Sequence, residues 1–426
     1  VHDTKTLLDP DTAARLGRRG HVLDPAIADL IKRRAEAIHD RDTLRAVLRG
    51  SARGAGRTAG GVPVDREAAR QGKAKLAELE EDCRNREREL RAALLAVPNV
   101  PADEAPDGGP ADPPVEVRRW GTRPEFDFTP RDHVELGGTL GLLDPARAAK
   151  LSGARFAVTV GAGARLARAL AAFLLDIHTG EHGYLEYGLP HLVTPETMTG
   201  TGQLPKFADD LFSTDLAGRR LLLIPTAEVP LVNLHRDEVL HESALPLALT
   251  AYTACYRGEA GSYGRDTKGL IRVHQFEKVE LVRFCPAERS AAELDVIVGH
   301  AETCLRRLGL HYRVVDLRSG DLGFSARRTY DLEVWLPGQD TYREISSCSD
   351  CGTFQARRAN IRMRRANGEK AFPATLNGSA LPIGRTLVAI LEQHQRADGS
   401  VAIPPALAHY AGFSELRPDG TPADTR

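Results

Sequence analysis

No stretch of this chain approaches the roughly 20 consecutive apolar residues that span a bilayer, so a helical membrane protein is not expected. The opening Val1-His2-Asp3 lacks the charged-then-apolar layout of a secretion signal. Cysteine is scarce, six in 426 residues, too few for a disulfide framework and better suited to a reducing compartment. The one close pair, Cys348-Ser349-Asp350-Cys351, has no second pair to complete a structural zinc site, so both thiols read as structural. Net charge is also missing: 57 Lys and Arg stand against 58 Asp and Glu. Any site for a polyanion must therefore be a local patch. These absences leave a soluble, cytoplasmic protein as the expectation. Its 42% hydrophobic residues can bury a sizeable core, in one large or two modest domains.

The first hundred residues differ from the rest. Residues 24–49 read as a helix, with Ile27, Leu30, Ile31, Ile38, Leu44 and Leu48 as an imperfect apolar stripe. A glycine-rich breaker from Gly50 to Gly61 follows. Residues 65–97 read as a second helix stopped by Pro98. Ala69, Gly72, Leu76, Leu79, Cys83, Arg86, Leu90, Ala93 and Val97 form its heptad seam. Two such helices predict an antiparallel hairpin, and the longer one would reach roughly 50 Å at 1.5 Å per residue. We expect it to project as an arm over residues 1–100. Residues 101–114, rich in Pro, Asp and Gly, read as a linker. Over 115–412, strand-like runs such as Leu221–Ile224, Leu270–Val273, Val279–Val282 and Tyr330–Trp335 alternate with helices near 163–177 and 291–308. Hairpins and mixed lengths favour an α+β domain, an antiparallel sheet with flanking helices. Residues 413–426 are polar and read as a disordered tail.

Several polar segments interrupt this second domain. An Arg fork as in Arg257 can clamp a phosphate. A carboxylate such as Glu259 can accept from an adenine amino group, and Phe276 offers a stacking face. Glu344 and Ser347 are hard oxygen donors suited to Mg²⁺ shared with phosphates. Each has a plainer reading: an exposed Arg257–Glu259 ion pair, a strand-end Glu344, an outward-facing Glu280 in the alternating Val279-Glu280-Leu281.

In order along the chain, Thr199-Gly200-Thr201-Gly202-Gln203-Leu204-Pro205-Lys206-Phe207, Ile224-Pro225-Thr226-Ala227-Glu228-Val229-Pro230 and Arg257-Gly258-Glu259 through Thr267 resemble the signatures of the seryl-tRNA synthetase family. So do Gly269-Leu270-Ile271-Arg272-Val273-His274-Gln275-Phe276, Arg343-Glu344-Ile345-Ser346-Ser347-Cys348-Ser349, and Thr375-Leu376-Asn377-Gly378-Ser379 through Gly384-Arg385-Thr386-Leu387. The resemblance covers residues 115–412 strongly and the arm weakly. Gly258, where the family usually has Ser, and Ala380-Leu381-Pro382, where Gly-Leu-Ala is usual, are departures.

The resemblance implies a class II synthetase that activates L-serine with ATP and charges tRNA(Ser), with the selenocysteine tRNA as a conceivable second acceptor. It implies an ATP site of Arg257, Gly258, Glu259, Arg272, Val273, Phe276, Glu344, Ile345, Ser346, Ser347 and Arg385. Arg257 would hold the α-phosphate, Glu259 read adenine, and Arg272 meet the distal phosphates. Phe276 would stack on the base, and Arg385 would cover adenine and meet the γ-phosphate. Mg²⁺ would sit on Glu344 and Ser347. Serine would be held by Thr226, Ala227, Glu228, Glu280 and Ser379. A homodimer would form through the helix over 165–177 and the loop to Pro190. In the arm, Arg45, Arg49, Arg53 and Arg57 could meet tRNA phosphates. Three alternatives stay open on sequence: a paralogue loading an amino acid onto a carrier or biosynthetic acceptor, an inhibitor-resistant isoenzyme, and a catalytically silent binding protein.

Overall fold

The structure, a computed structural model, describes residues 2–55, 66–260 and 268–423, with the backbone alone at 51–55, 66 and 69. Most of the glycine-rich tip with Arg57, the side chain of Arg53, and Gly261 to Thr267 of the second motif lie outside the described residues. The chain divides into two compact units, Val1–Pro98 and Asn99–Arg426.

In the first unit Asp24 caps the helix Ala26–Ala55, its carboxylate accepting from Ala26 N at 2.9 Å, as an Asp-Pro helix start predicts. The helix runs past Gly50, five residues beyond the expected break. One helical glycine costs only about 1 kcal/mol, which the flanking residues offset. The helix Arg66–Leu95 returns antiparallel. Cys83 Sγ donates to Ala37 O at 3.2 Å, Arg45 pairs with Glu80 at 2.8 Å, and Arg34 pairs with Glu87. Gly72 faces Leu48, whose methyl would lie 2.7 Å from an added Cβ, so a larger residue here would make the Leu48 side chain shift. Cys83, Leu90, Leu94 and Val97 are buried along the seam.

The second unit is built on an eight-stranded sheet: β1 (Val115–Trp120), β2 (Leu185–Glu186), β3 (Leu247–Tyr256), β4 (Gln275–Cys285), β5 (Tyr312–Asp316), β6 (Arg328–Leu336), β7 (Thr341–Asp350) and β8 (Ala374–Pro382). Their spatial order is β1-β5-β6-β7-β8-β4-β3-β2. The pairings are antiparallel except β2 with β3, which is parallel at one edge. One face packs on the helices Ala162–Gly180, Ser290–Arg307 and Ile383–Gln393. Leu170, Ile297 and Ile390 from these helices share a core with Val279, Leu281 and Leu376 of the strands. The other face carries a smaller cluster in which Ala227, Leu231 and Val232 cover Val282 and Phe284. Strand β4 is therefore buried continuously from Lys278 to Cys285, as a strand covered on both faces must be. The even-numbered residues Lys278 and Glu280 share the face of Val282 and Phe284.

Three expectations need correction. Leu270–Val273 is not a strand. Gly269 turns the chain at φ +80°, and the segment instead presents Leu270, Ile271 and Arg272 to a cavity. The tail beyond Gly412 is structured through Ala423. Glu415–Leu416 pairs with Val401–Ala402 and Pro422–Ala423, because Phe413 and Leu416 insert fully into the main core. The stretch 101–114 is not a free linker, since Ala102 and Ala105 are buried and Ala102 N donates to Arg327 O at 2.8 Å.

Candidate active site

An open cavity of about 420 Å³ lies over β4 and β8 at the start of the helix Ile383–Gln393. Arg257, Glu259, Arg272, Val273, Phe276, Glu344, Ile345, Ser379 and Arg385 all line it, so residues from four separate motifs converge. Arg257 follows the last residue of β3. Its Nε donates to Pro225 O at 3.3 Å, and its guanidinium sits 5.1 Å from the Phe276 ring centre, within cation–π range. Arg385 Nε donates to Ile271 O at 3.1 Å, and its Nη1 donates to Glu344 O at 2.9 Å and approaches the Glu344 carboxylate at 3.4 Å. A guanidinium has five donors. These carbonyls aim both arginines and leave donors for an anion.

Glu259 pairs with Arg272, not with Arg257 as the plainer reading of the turn had it. Glu259 adopts φ +53°, a conformation side chains rarely take. Beside it, Gly258 N donates to Asp210 O at 2.8 Å and Ala260 N to Asp210 Oδ1 at 3.0 Å. A Cβ at Gly258 would stand 3.3 Å from that carbonyl oxygen, so glycine suits this close approach.

A compact polar cluster reaches the cavity at Lys278 and Ser379. Thr226 Oγ1 donates to Glu280 Oε2 at 2.6 Å. Lys278 forms an ion pair with Glu280 and donates to Ser379 Oγ at 3.0 Å. Glu280 is fully buried, so the outward-facing reading fails: its face of β4 is covered by the segment that begins at Ala227. Glu228 starts the helix Glu228–Asn233. Its Oε1 accepts from Gln355 Nε2 at 2.6 Å and Asn377 Nδ2 at 3.0 Å. Burial, then the nearby Glu280 carboxylate, push Glu228 up to about 7. Ala227 is buried in the apolar cluster.

The third group lies on the same sheet face. A register shift at Ile345 places Glu333 opposite Glu344 and Asp331 opposite Ser347. Ile345 is buried in the core, and Ser346 Oγ donates to Ser379 O at 2.6 Å, so these two brace the site. Burial followed by the Glu344 charge raise the Asp331 pKa well above the carboxylate norm. Asp331 Oδ1 is buried without a partner. The donors are all hard oxygens, which fits Mg²⁺ completed by phosphates and water. Among the described residues, no cluster of three or more His, Cys, Asp or Glu forms a self-sufficient metal cage.

Sequence reasoning missed Asp210, Lys278, Asp331, Gln355 and Asn377. Lys278 and Asn377 were within reach of it, each two residues from a chosen site residue on the same strand face. Pro190 follows β2 and is exposed, as is Leu185 at 59%. All six cysteines are free and buried. Among the described residues no helix is long and apolar enough to cross a membrane.

Comparison with known proteins agrees with this geometry. The family described as tRNA synthetase class II core domain (G, H, P, S and T) matches residues 211–394. Serine–tRNA ligase 2 of Streptomyces avermitilis is 57% identical, covering 99% of this chain and 100% of its own. The serine–tRNA ligase of Syntrophotalea carbinolica is 53% identical over 94% of this chain and 95% of its own. Among solved structures, seryl-tRNA synthetase from Pyrococcus horikoshii complexed with ATP superposes with a TM-score of 0.89 at 32% identity, covering 100% of both chains. Cytoplasmic serine–tRNA ligase from Naegleria fowleri in complex with AMP gives 0.84 at 27% identity over 97% of this chain and 95% of its own. With the class II sheet, the converging arginines and full-length relatives of this identity all in agreement, the chain belongs to the serine–tRNA ligase family of class II aminoacyl-tRNA synthetases.

Proposed function

We propose that this enzyme joins L-serine to ATP as seryl-adenylate, releasing pyrophosphate, and passes the seryl group to the terminal ribose of tRNA(Ser). The observation that carries the reading is the pocket itself. Thr226, Glu280, Lys278 and Ser379 form one hydrogen-bonded chain that opens, at Lys278 and Ser379, into a cavity lined by three arginines. A site built from buried polar groups rejects analogues that lack the matching hydroxyl, because those groups are then left unpaired.

Each residue has a part in the chemistry. Glu228 takes the α-ammonium of serine, and the Thr226–Glu280 pair takes its hydroxyl, with Ser379 alongside. Arg257 holds the α-phosphate and Phe276 supports the base. ATP would separate the Glu259–Arg272 pair, the adenine amino group taking Glu259 and the distal phosphates taking Arg272. The serine carboxylate attacks the α-phosphorus and pyrophosphate departs. Arg257 and Arg385 offset the developing charge, so catalysis is positioning and electrostatics with no protein base. Glu344 and Ser347 are the residues that would hold Mg²⁺, whose contribution is to offset charge on the phosphates. The tRNA hydroxyl then attacks the seryl carbonyl and AMP leaves.

The helical hairpin with Arg45 and Arg49 is the candidate tRNA contact. The exposed surface around Leu185 and Pro190 is the candidate homodimer seam, and the cytoplasm is the compartment. The decisive experiment is serine-dependent ATP–pyrophosphate exchange run beside tRNA charging. Exchange and charging together are expected. Absence of exchange with serine refutes activation, and exchange without charging would move the acceptor to a carrier.

A further inference from the structure

Gln355 is fully buried on the short helix Phe354–Arg358, outside the motifs whose residues it touches. Its Nε2 donates to Glu228 Oε1 at 2.6 Å and to Thr201 O at 3.2 Å. Its Oε1 accepts from Thr375 Oγ1 at 2.7 Å. The amide orientation is settled by these partners, because flipping it would set an oxygen against two acceptors. One side chain thus joins three elements: the helix Pro195–Thr201, strand β8 and the start of the helix Glu228–Asn233. On the same carboxylate oxygen, Asn377 Nδ2 supplies a second donor at 3.0 Å.

The charged and titratable groups around Glu228 are Glu280 and Lys278 from β4, Arg257 after β3, and the Cys351 thiol after β7. Lys278 is engaged with Glu280 and Ser379. Among the described residues, the direct donors to the Glu228 carboxylate are two neutral amides and no cation side chain bonds to it. That is the arrangement of a carboxylate kept for a cation that arrives from outside: it is held in place without being neutralised.

We propose that Gln355 is a positioning residue for amino-acid recognition, clamping Glu228 Oε1 so that Oε2 is left for the ammonium of the incoming serine. This rests on the serine-pocket reading given above. The Gln355 hydrogen bond is the foremost influence pulling the Glu228 pKa down, against burial and the charge of Glu280. A merely structural glutamine would disturb ATP and serine alike and would leave the pH profile where it was.

The test uses the full-length enzyme, with kcat and KM for serine and for ATP measured by pyrophosphate exchange between pH 6 and 8.5. Gln355→Met keeps the volume and removes all three bonds. It should raise the serine KM about tenfold at pH 7 and move the midpoint of kcat/KM for serine up by about one pH unit, the usual scale for a lost hydrogen bond to a charge. The ATP KM should stay within about twofold. Gln355→Glu should shift the profile further, since two facing carboxyls must share a proton. Thr375→Val, which frees the far end of the amide without touching Glu228, gives a smaller shift in the same direction and serves if Gln355→Met does not fold. An unmoved midpoint in a folded variant, or serine and ATP KM values rising in proportion, overturns the proposal. A wild-type enzyme inactive with serine defeats the functional reading itself and this inference with it, a failure distinguishable from active wild type with indifferent variants.

Discussion

Glu228 ties serine recognition to pH in a way that can be worked through. Its carboxyl is pushed up to about 7 by burial and by Glu280. If the ammonium of serine needs the ionised form, only about one-tenth of the free enzyme is competent at pH 6 and about three-quarters at pH 7.5. The value of kcat/KM for serine should therefore climb about eightfold across that window, while the ATP KM stays flat. At saturating serine the dependence should flatten, because the bound ammonium itself favours the carboxylate. Stability moves the other way. The folded carboxyl titrates above its ordinary 4.5, so the folded state holds the extra proton. Its contribution is full below pH 4.5 and is lost as pH rises through about 7, a decline of about 3 kcal/mol in all. Glu228→Gln should then be more stable than the wild type at pH 8 and no more stable at pH 4.5. It should lose about a hundredfold in kcat/KM for serine and lose the pH slope as well. Pyrophosphate exchange and denaturant titration at both pH values measure the two halves. A flat serine profile in the wild type, or the same slope surviving in Glu228→Gln, would refute the reasoning.

Lys278→Met leaves Glu280 buried beside Glu228 without its cationic partner; denaturant unfolding at pH 8 should show a loss of about 3–5 kcal/mol, largely recovered by adding Glu280→Gln. Arg385→Lys cannot keep both carbonyl bonds, at Ile271 O and Glu344 O, and also meet an anion; exchange should fall about 10²–10³-fold with the melting temperature almost unchanged. Leu90→Ala, at a 3% exposed seam position, should cost the helical hairpin about 2–5 kcal/mol, seen as lost helical circular dichroism on warming, with tRNA charging reduced and serine-dependent exchange retained.

What the sequence shows of this site, and what it hides, follows from how each contact is made. Arg257, Glu259, Arg272 and Phe276 are legible because they lie in or at the end of the one connection between β3 and β4, where chain order and spatial order nearly coincide. Even there the Glu259–Arg272 pair was not foreseen, and no spacing rule encodes the left-handed conformation at Glu259. Glu280 was ambiguous because alternation tells two faces apart but not whether both are covered; only the packing of Ala227, Leu231 and Val232 on Val282 and Phe284 turns its face inward. Asp331 required the register of β6 against β7, including the shift at Ile345, and Gln355 required three elements to meet. The tail was misjudged for a related reason. Its composition is polar, yet two residues, Phe413 and Leu416, decide its fate by filling the core, and composition averages such anchors away. The motifs thus supply the groups that touch substrate, whereas the groups that aim them are scattered through the chain and become visible only in three dimensions. A substitution at Gln355 or Lys278 would look innocent in a motif scan and still retune the pocket, so variants of this family are better sorted by hydrogen-bond connection to Glu228 and Glu280 than by distance along the sequence from a motif.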